Sequence, residues 1–201
     1  MPRSVMEFWF DFASTYSYLT AQRIDELASG NGIRVRWMPF LLGPIFAGQG
    51  WTTSPFNIYP AKGAYMWRDM ERLCDLHDLP LQQPEVFPQF ALLASRVALA
   101  AESEPWQPAF CRAIFMEEYG RGGDITSQEA VHAALTAAQA DADAWLAAAQ
   151  TGDVKQRLKD REAVARRKGI FGAPSFVTPD NELFWGDDRL EQALGWILKR
   201  R

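Results

Sequence analysis

The chain has 201 residues, 48% of them apolar and 23% charged, enough for a sizeable buried core in one domain or in one domain carrying an insertion. Its formal charge of -4 argues against a nucleic-acid surface, which needs a concentrated basic face. No apolar run approaches the roughly 18 to 20 residues of a membrane span, and MPRSVMEFWFDF carries charges where a signal peptide would be apolar, so the expectation is a globular cytoplasmic protein without membrane or nucleic-acid partners.

In chain order, Val5 to Phe12 is apolar and aromatic enough for a buried strand. Tyr16 to Ala28 then brings Leu19, Ile24, Leu27 and Ala28 to helical spacing until Gly30-Asn31-Gly32 stops it. In IRVRWMPF, Ile33, Val35 and Trp37 alternate with Arg34 and Arg36, which predicts a second strand. A helical crossover of this length suits two parallel strands with a right-handed connection. From about Pro44 to Ala149 the chain turns rich in Ala, Leu and Glu and is punctuated by prolines; helix-period apolar faces recur over 62–78, 90–102, 108–119, 127–138 and 142–151. A further helix is predicted over Val154 to Lys168. Ser175 to Thr178, the turn Pro179-Asp180-Asn181 and Leu183 to Trp185 have the spacing of a hairpin, and Asp187 to Lys199 closes the chain as a helix.

The ends therefore form a βαβ and a ββα unit, with a helical block spliced between them. That order predicts an α/β, thioredoxin-like fold: a discontinuous domain of residues 1–43 and 153–201 around an all-helical insertion of 44–152. The basic clusters Arg166-Arg167-Lys168 and Lys199-Arg200-Arg201 fall where helices end, so they complement helix dipoles. Cys74 and Cys111 lie far apart in apolar helical patterns without CxxC spacing and read as ordinary buried thiols. His77 and His132 are isolated and lack metal-ligand spacing, so no metal is expected.

In a thioredoxin-like frame, the turn after the first strand presents its reactive group at a helix N-terminus, where unpaired N–H groups and the dipole favour an anion. Here that place holds Ser14, with a second hydroxyl at Ser17, so the chain brings no exchanging thiol of its own. One reading makes Ser14 a helix cap. The other makes it the hydrogen-bond donor to an external thiolate. A thiol of pKa about 8.5 must fall by about 2 units, about 2.7 kcal/mol, to ionise at neutral pH. A charge-assisted hydrogen bond of about 1.5 to 3 kcal/mol and a helix end of about 0.3 to 1 kcal/mol suffice together. No His-Asp partner supports acyl transfer by Ser14.

Pro174, directly before a strand, is either a turn proline or a cis proline that turns the N–H and C=O of Ala173 toward the site, where an extended peptide can pair with them. Asp187 and Asp188, in FWGDD, read as N-caps or as a carboxylate for a peptide ammonium group.

The segments FDFASTYSYL, MPFLLGPIF, SPFNIYPAKGAYMWRDMERLC and GIFGAPSFVTPDNELFWGDDRL, in this order, resemble the glutathione-dependent 2-hydroxychromene-2-carboxylate isomerases, relatives of the kappa-class glutathione transferases and of DsbA-type thioredoxin folds. The resemblance covers almost the whole chain. It implies glutathione as cofactor, a small aromatic carboxylate as substrate, thiol activation by Ser14, backbone pairing at Ala173 before Pro174, and a γ-glutamyl site formed by Trp185, Gly186, Asp187 and Asp188. It also implies a nucleophilic mechanism in which the thiolate adds, a bond rotates and glutathione is returned. Lys62 and Tyr65 in PAKGAY resemble the segment facing the substrate, although Lys62 also suits a snorkelling surface position. Thr53 stands where relatives often have Asn, with Asn57 nearby as a substitute; Ala47 replaces a basic residue and Phe90 an Asn, so fewer polar groups remain to hold a carboxylate. Two other activities stay open: a kappa-like transferase that consumes glutathione, and a non-catalytic peptide-binding protein using the surface beside Pro174. The apolar helix faces are compatible with a homodimer.

Overall fold

The computed structural model describes residues 4–200; the first three residues and Arg201, which end the expected domain bounds and the closing basic cluster, lie outside the described residues. Strand β1 (Val5–Phe10) leads through a tight turn into α1 (Thr15–Gly30), and β2 (Arg34–Pro39) returns parallel to β1 with Phe8 opposite Trp37. Near the other end of the chain, β3 (Ser175–Val177) lies antiparallel against β1, and β4 (Leu183–Trp185) antiparallel against β3. The sheet order β2-β1-β3-β4 is that of a thioredoxin-like fold, as the strand and helix order predicts.

The intervening helices are α2 (Leu42–Ala47), α3 (Pro55–Ile58), α4 (Pro60–Leu76), α5 (Leu92–Ala100), α6 (Gln107–Phe115), α7 (Gln128–Ala137), α8 (Ala142–Ala149) and α9 (Gly152–Arg167); α10 (Leu190–Lys199) follows the hairpin. Helices α2 and α3 are too short for a 3.6-residue period to show in the sequence. The predicted helix over 108–119 is divided, since α6 gives way to a wider π-type turn at Met116–Gly120. The closing helix opens with a tighter 3-10 turn at Asp187–Arg189. Among the described residues no helix is long and apolar enough to cross a membrane.

Alternation along β1 sorts the core onto two faces. Met6, Phe8 and Phe10 join a cluster with Ile24 of α1, Leu194 of α10 and the middle helices, while Trp9 joins a second cluster with Phe40, Ile45 of α2, Ala165 of α9 and Val177. Just beyond β1, Phe12 is fully buried, with its ring centroid 5.0 Å from that of Phe115 and 6.5 Å from that of Phe110. Because Phe10 also meets Phe115 at 5.8 Å, the sheet and the middle helices share one continuous core.

β1 stops at Phe10, earlier than its apolar run suggests, because Asp11 turns the chain. The buried Asp11 carboxylate accepts the Ala13 N–H at 3.0 Å through Oδ1 and the Leu42 N–H at 2.6 Å through Oδ2. Glu162 on α9 accepts the adjacent Leu41 N–H at 2.6 Å. Leu41, the residue preceding α2, has no side chain able to cap the helix, so two carboxylates distant in sequence satisfy these orphan donors. Burial is the larger cause that raises Asp11 to about 6 and Glu162 to about 7, while the amide hydrogen bonds act in the opposite direction.

Two outcomes follow from this packing. Phe12→Ala should lower unfolding free energy by about 3 to 5 kcal/mol in denaturant titrations; a loss under about 1 kcal/mol would contradict a shared core. Glu162→Gln keeps an oxygen for the Leu41 N–H and removes a proton that the folded state holds more tightly than the unfolded one. Stability linked to Glu162 is present below its ordinary value of about 4.5 and is lost as pH rises through about 7. The variant should therefore show a flatter decline of its melting temperature between about pH 4.5 and 7; an unaltered slope would exclude Glu162 as its source.

Candidate active site at the start of α1

Ser14 is the N-cap of α1, in extended backbone geometry with φ -96 and ψ 112. Its N–H donates to the Asp11 carbonyl at 3.0 Å, and its Oγ accepts the Ser17 N–H at 3.2 Å. Its hydroxyl proton goes across the fold to the Ala173 carbonyl at 2.9 Å. Ser14 is thus a cap and also a side chain of this turn that reaches the loop before β3. It is 7% exposed, so little water competes for its hydroxyl.

The Ala173–Pro174 peptide is cis, as is Phe87–Pro88. The Pro174 carbonyl accepts the Gly186 N–H at 3.0 Å, and the Ser175 hydroxyl donates to the Gly172 carbonyl at 2.8 Å, so the end of β4 and the loop's own hydroxyl both hold Ala173 in place. The Trp185 indole lies on Gly172: a Cβ there would fall 2.4 Å from Trp185 Nε1, so only glycine admits the ring. Trp185 also packs on Phe171, with ring centroids 4.9 Å apart, and both are about half exposed. Together they form an aromatic wall beside the Ser14–Ala173 bond.

The chain then turns at Gly186, whose φ of 109 is a conformation that side-chain-bearing residues avoid. The two acids that follow part company. The buried Asp187 carboxylate accepts the Thr20 hydroxyl at 2.8 Å and pairs with Arg23 at 3.0 Å, tying the turn onto α1. Asp188 is exposed and pairs with Arg189 at 3.1 Å.

On the other side of the helix start, the Tyr16 hydroxyl donates to Asp69 of α4 at 3.0 Å, and its ring packs on Phe56 with centroids 6.4 Å apart. Burial, then the Asp69 hydrogen bond, raises the Tyr16 phenol, and the charges of Tyr65 and Asp188 act in the same direction. Tyr65 is exposed, and Lys62 lies with Nζ 5.6 Å from the Phe56 ring centre. Thr53 and Asn57 are further out. The Asn57 amide donates to the Thr53 hydroxyl at 3.3 Å and the Phe87 carbonyl at 3.0 Å, which fixes the segment before α4. Ala47 and Phe90 are both exposed.

Ser14, Ala173, Pro174 and residues 185–188 are therefore gathered at one end of the parallel strands, with Tyr65 and Lys62 linked to them through Tyr16 and Phe56. The hydrogen bonds of Thr53 and Asn57 run to each other and to Phe87, and none joins them to that group among the described residues. A depression of about 490 Å³ lined by Glu7, Arg34, Arg36 and Lys168 lies at the opposite end of the strands, and Glu7 already pairs with two of those cations. The Tyr16–Asp69 and Thr20–Arg23–Asp187 links were not read from the sequence, since each joins segments that only the fold brings together. Cys74 and Cys111 are buried free thiols, and burial pushes Cys74 up to about 11 and Cys111 well above its ordinary value. Neither supplies a thiolate near neutral pH.

Residues 5–197 match the family of DSBA-like thioredoxin domains. The chain is 28% identical over 195 residues to the 2-hydroxychromene-2-carboxylate isomerase of Sphingobium xenophagum, covering 96% of this chain and 97% of the relative. It is also 28% identical over 204 residues to glutathione S-transferase kappa 1 of Homo sapiens, covering 95% and 89% respectively. A solved 2-hydroxychromene-2-carboxylate isomerase superposes with a TM-score of 0.84 at 24% identity, covering 98% of this chain and 97% of the other. With a thioredoxin-like sheet and a match that spans nearly its whole length, the chain belongs to the DSBA-like thioredoxin domain family.

Proposed function

We propose that this protein is a glutathione-dependent isomerase acting on an aromatic carboxylate of the 2-hydroxychromene-2-carboxylate type. The observation that carries this reading is the Ser14 hydroxyl, held 2.9 Å from the Ala173 carbonyl at the start of α1. A serine in this place cannot exchange disulfides, yet it is a good donor to a sulfur anion. The surroundings suit glutathione: the Ala173 backbone for a peptide N–H, the aromatic wall of Phe171 and Trp185 for its flank, and the exposed Asp188 for its ammonium end. Asp187, spent on Thr20 and Arg23, serves the turn instead.

When bound, glutathione supplies the nucleophile whose reversible addition to a conjugated substrate frees a double bond to rotate, and it leaves unchanged. The protein's part is electrostatic and positional. Ser14 turns its proton from the Ala173 carbonyl to the sulfur, the dipole of α1 adds to the same effect, and the released carbonyl accepts from the tripeptide backbone. Lys62 and Tyr65 orient the substrate carboxylate from α4.

A kappa-like transferase is the second reading, favoured by the likeness to the human kappa enzyme. The two separate on thiol consumption: an isomerase turns over many substrate molecules with total glutathione constant, and a transferase loses one thiol per turnover.

Ser14→Ala should raise the pKa of the bound thiol and slow turnover about 10- to 100-fold at neutral pH, the equivalent of one charge-assisted hydrogen bond. Wild-type rates in that variant would remove Ser14 from the mechanism. Asp188→Ala should weaken glutathione binding in calorimetry by about 2- to 5-fold, less at high salt, because the carboxylate is exposed. Unaltered affinity at low salt would place the γ-glutamyl end elsewhere.

A further inference from the structure

Asp11 is 5% exposed and sits three residues before Ser14, in the turn that delivers the serine to the helix start. A buried carboxylate is costly to keep unless it is fully bonded. Both of its oxygens are engaged, and by different loops: Oδ1 takes the Ala13 N–H at 3.0 Å, and Oδ2 takes the Leu42 N–H at 2.6 Å. Its own carbonyl takes the Ser14 N–H at 3.0 Å. The side chain thus bridges the β1–α1 turn to the β2–α2 turn, and Ser14 hangs from that bridge by one peptide unit.

We propose that Asp11 is a positioning residue for Ser14: by binding the Ala13 and Leu42 amides at once, its carboxylate fixes the turn and so sets where the Ser14 hydroxyl points. The inference rests on the functional reading above only for its catalytic consequence; the geometric half stands by itself. An ionised carboxylate accepts both amides more strongly than a carboxylic acid. The groups facing Asp11 are Glu118 and Tyr119 on the wide turn at 116–120 and Glu162 on α9, the last also acted on by Arg161 and Arg166. No cation contacts Asp11 itself among the described residues, so the two amides are what hold its charge.

The test uses Asp11→Asn, in which one oxygen becomes a donor that repels an amide N–H. Its readout is the ultraviolet thiolate absorbance of bound glutathione across pH. The variant should raise the bound thiol's apparent pKa by about one unit. Glu162→Gln, which removes a neighbouring charge but keeps an oxygen for the Leu41 N–H and leaves both Asp11 amide bonds in place, should leave that pKa in place. A folded Asp11→Asn protein with the wild-type thiol pKa would overturn the proposal, as would an equal shift in Glu162→Gln.

Should Asp11→Asn fail to fold, the ligand-free wild type still decides. The amide resonances of Ala13, Ser14 and Leu42 should titrate together with a midpoint near the Asp11 value of about 6. Three independent titrations, or none, would overturn the proposal. Coupled titration in a wild type that leaves the glutathione thiol unshifted would support the role of Asp11 over the turn and defeat the functional reading alone.

Discussion

The orphan N–H groups at the starts of α1 and α2 impose the constraint on which the rest depends. Both helices begin at the same edge of the sheet, just beyond the ends of two parallel strands, where backbone donors must be satisfied without open water. Three side chains meet that demand: Ser14 for Ser17, Asp11 for Ala13 and Leu42, and Glu162 for Leu41. Because these acceptors come from the β1–α1 turn and from α9, satisfying the donors also locks the loops together. A local hydrogen-bonding need thereby becomes the geometry of a site.

Much of the architecture was legible in the sequence, for reasons that differ by element. The buried strand β1 announced itself through VMEFWF, and β2 through its alternation of apolar residues with Arg34 and Arg36. The hairpin of β3 and β4 followed from the Pro179-Asp180-Asn181 turn, where Asn181 takes the left-handed conformation such turns use. What escaped was local or long-range. Helices α2 and α3 are shorter than the period that reveals a helix, and the wide turn at Met116–Gly120 keeps the apolar spacing of the helix it interrupts.

The site divides the same way. Ser14, Ala173 and Pro174 could be named because a known frame puts them beside one another, and the structure sets the serine hydroxyl on the Ala173 carbonyl. The different fates of Asp187 and Asp188 were not legible, since adjacent acids look alike until Thr20 and Arg23 are folded against one of them. The role of Asp11 is hidden in the sequence for a related reason. A lone acid at the end of an apolar run reads as a turn residue, and its second partner, Leu42, lies on another loop.

The seclusion of both cysteines has a chemical consequence for a protein of this lineage. Cys74 and Cys111 are enclosed and hard to ionise, so neither thiol of the polypeptide is readily captured by an electrophile. On the proposed reading, every reactive sulfur in the catalytic cycle is a replaceable guest. Damage by a reactive aromatic substrate then spoils one tripeptide and spares the catalyst, and throughput follows the supply of the reduced tripeptide from the surrounding solution.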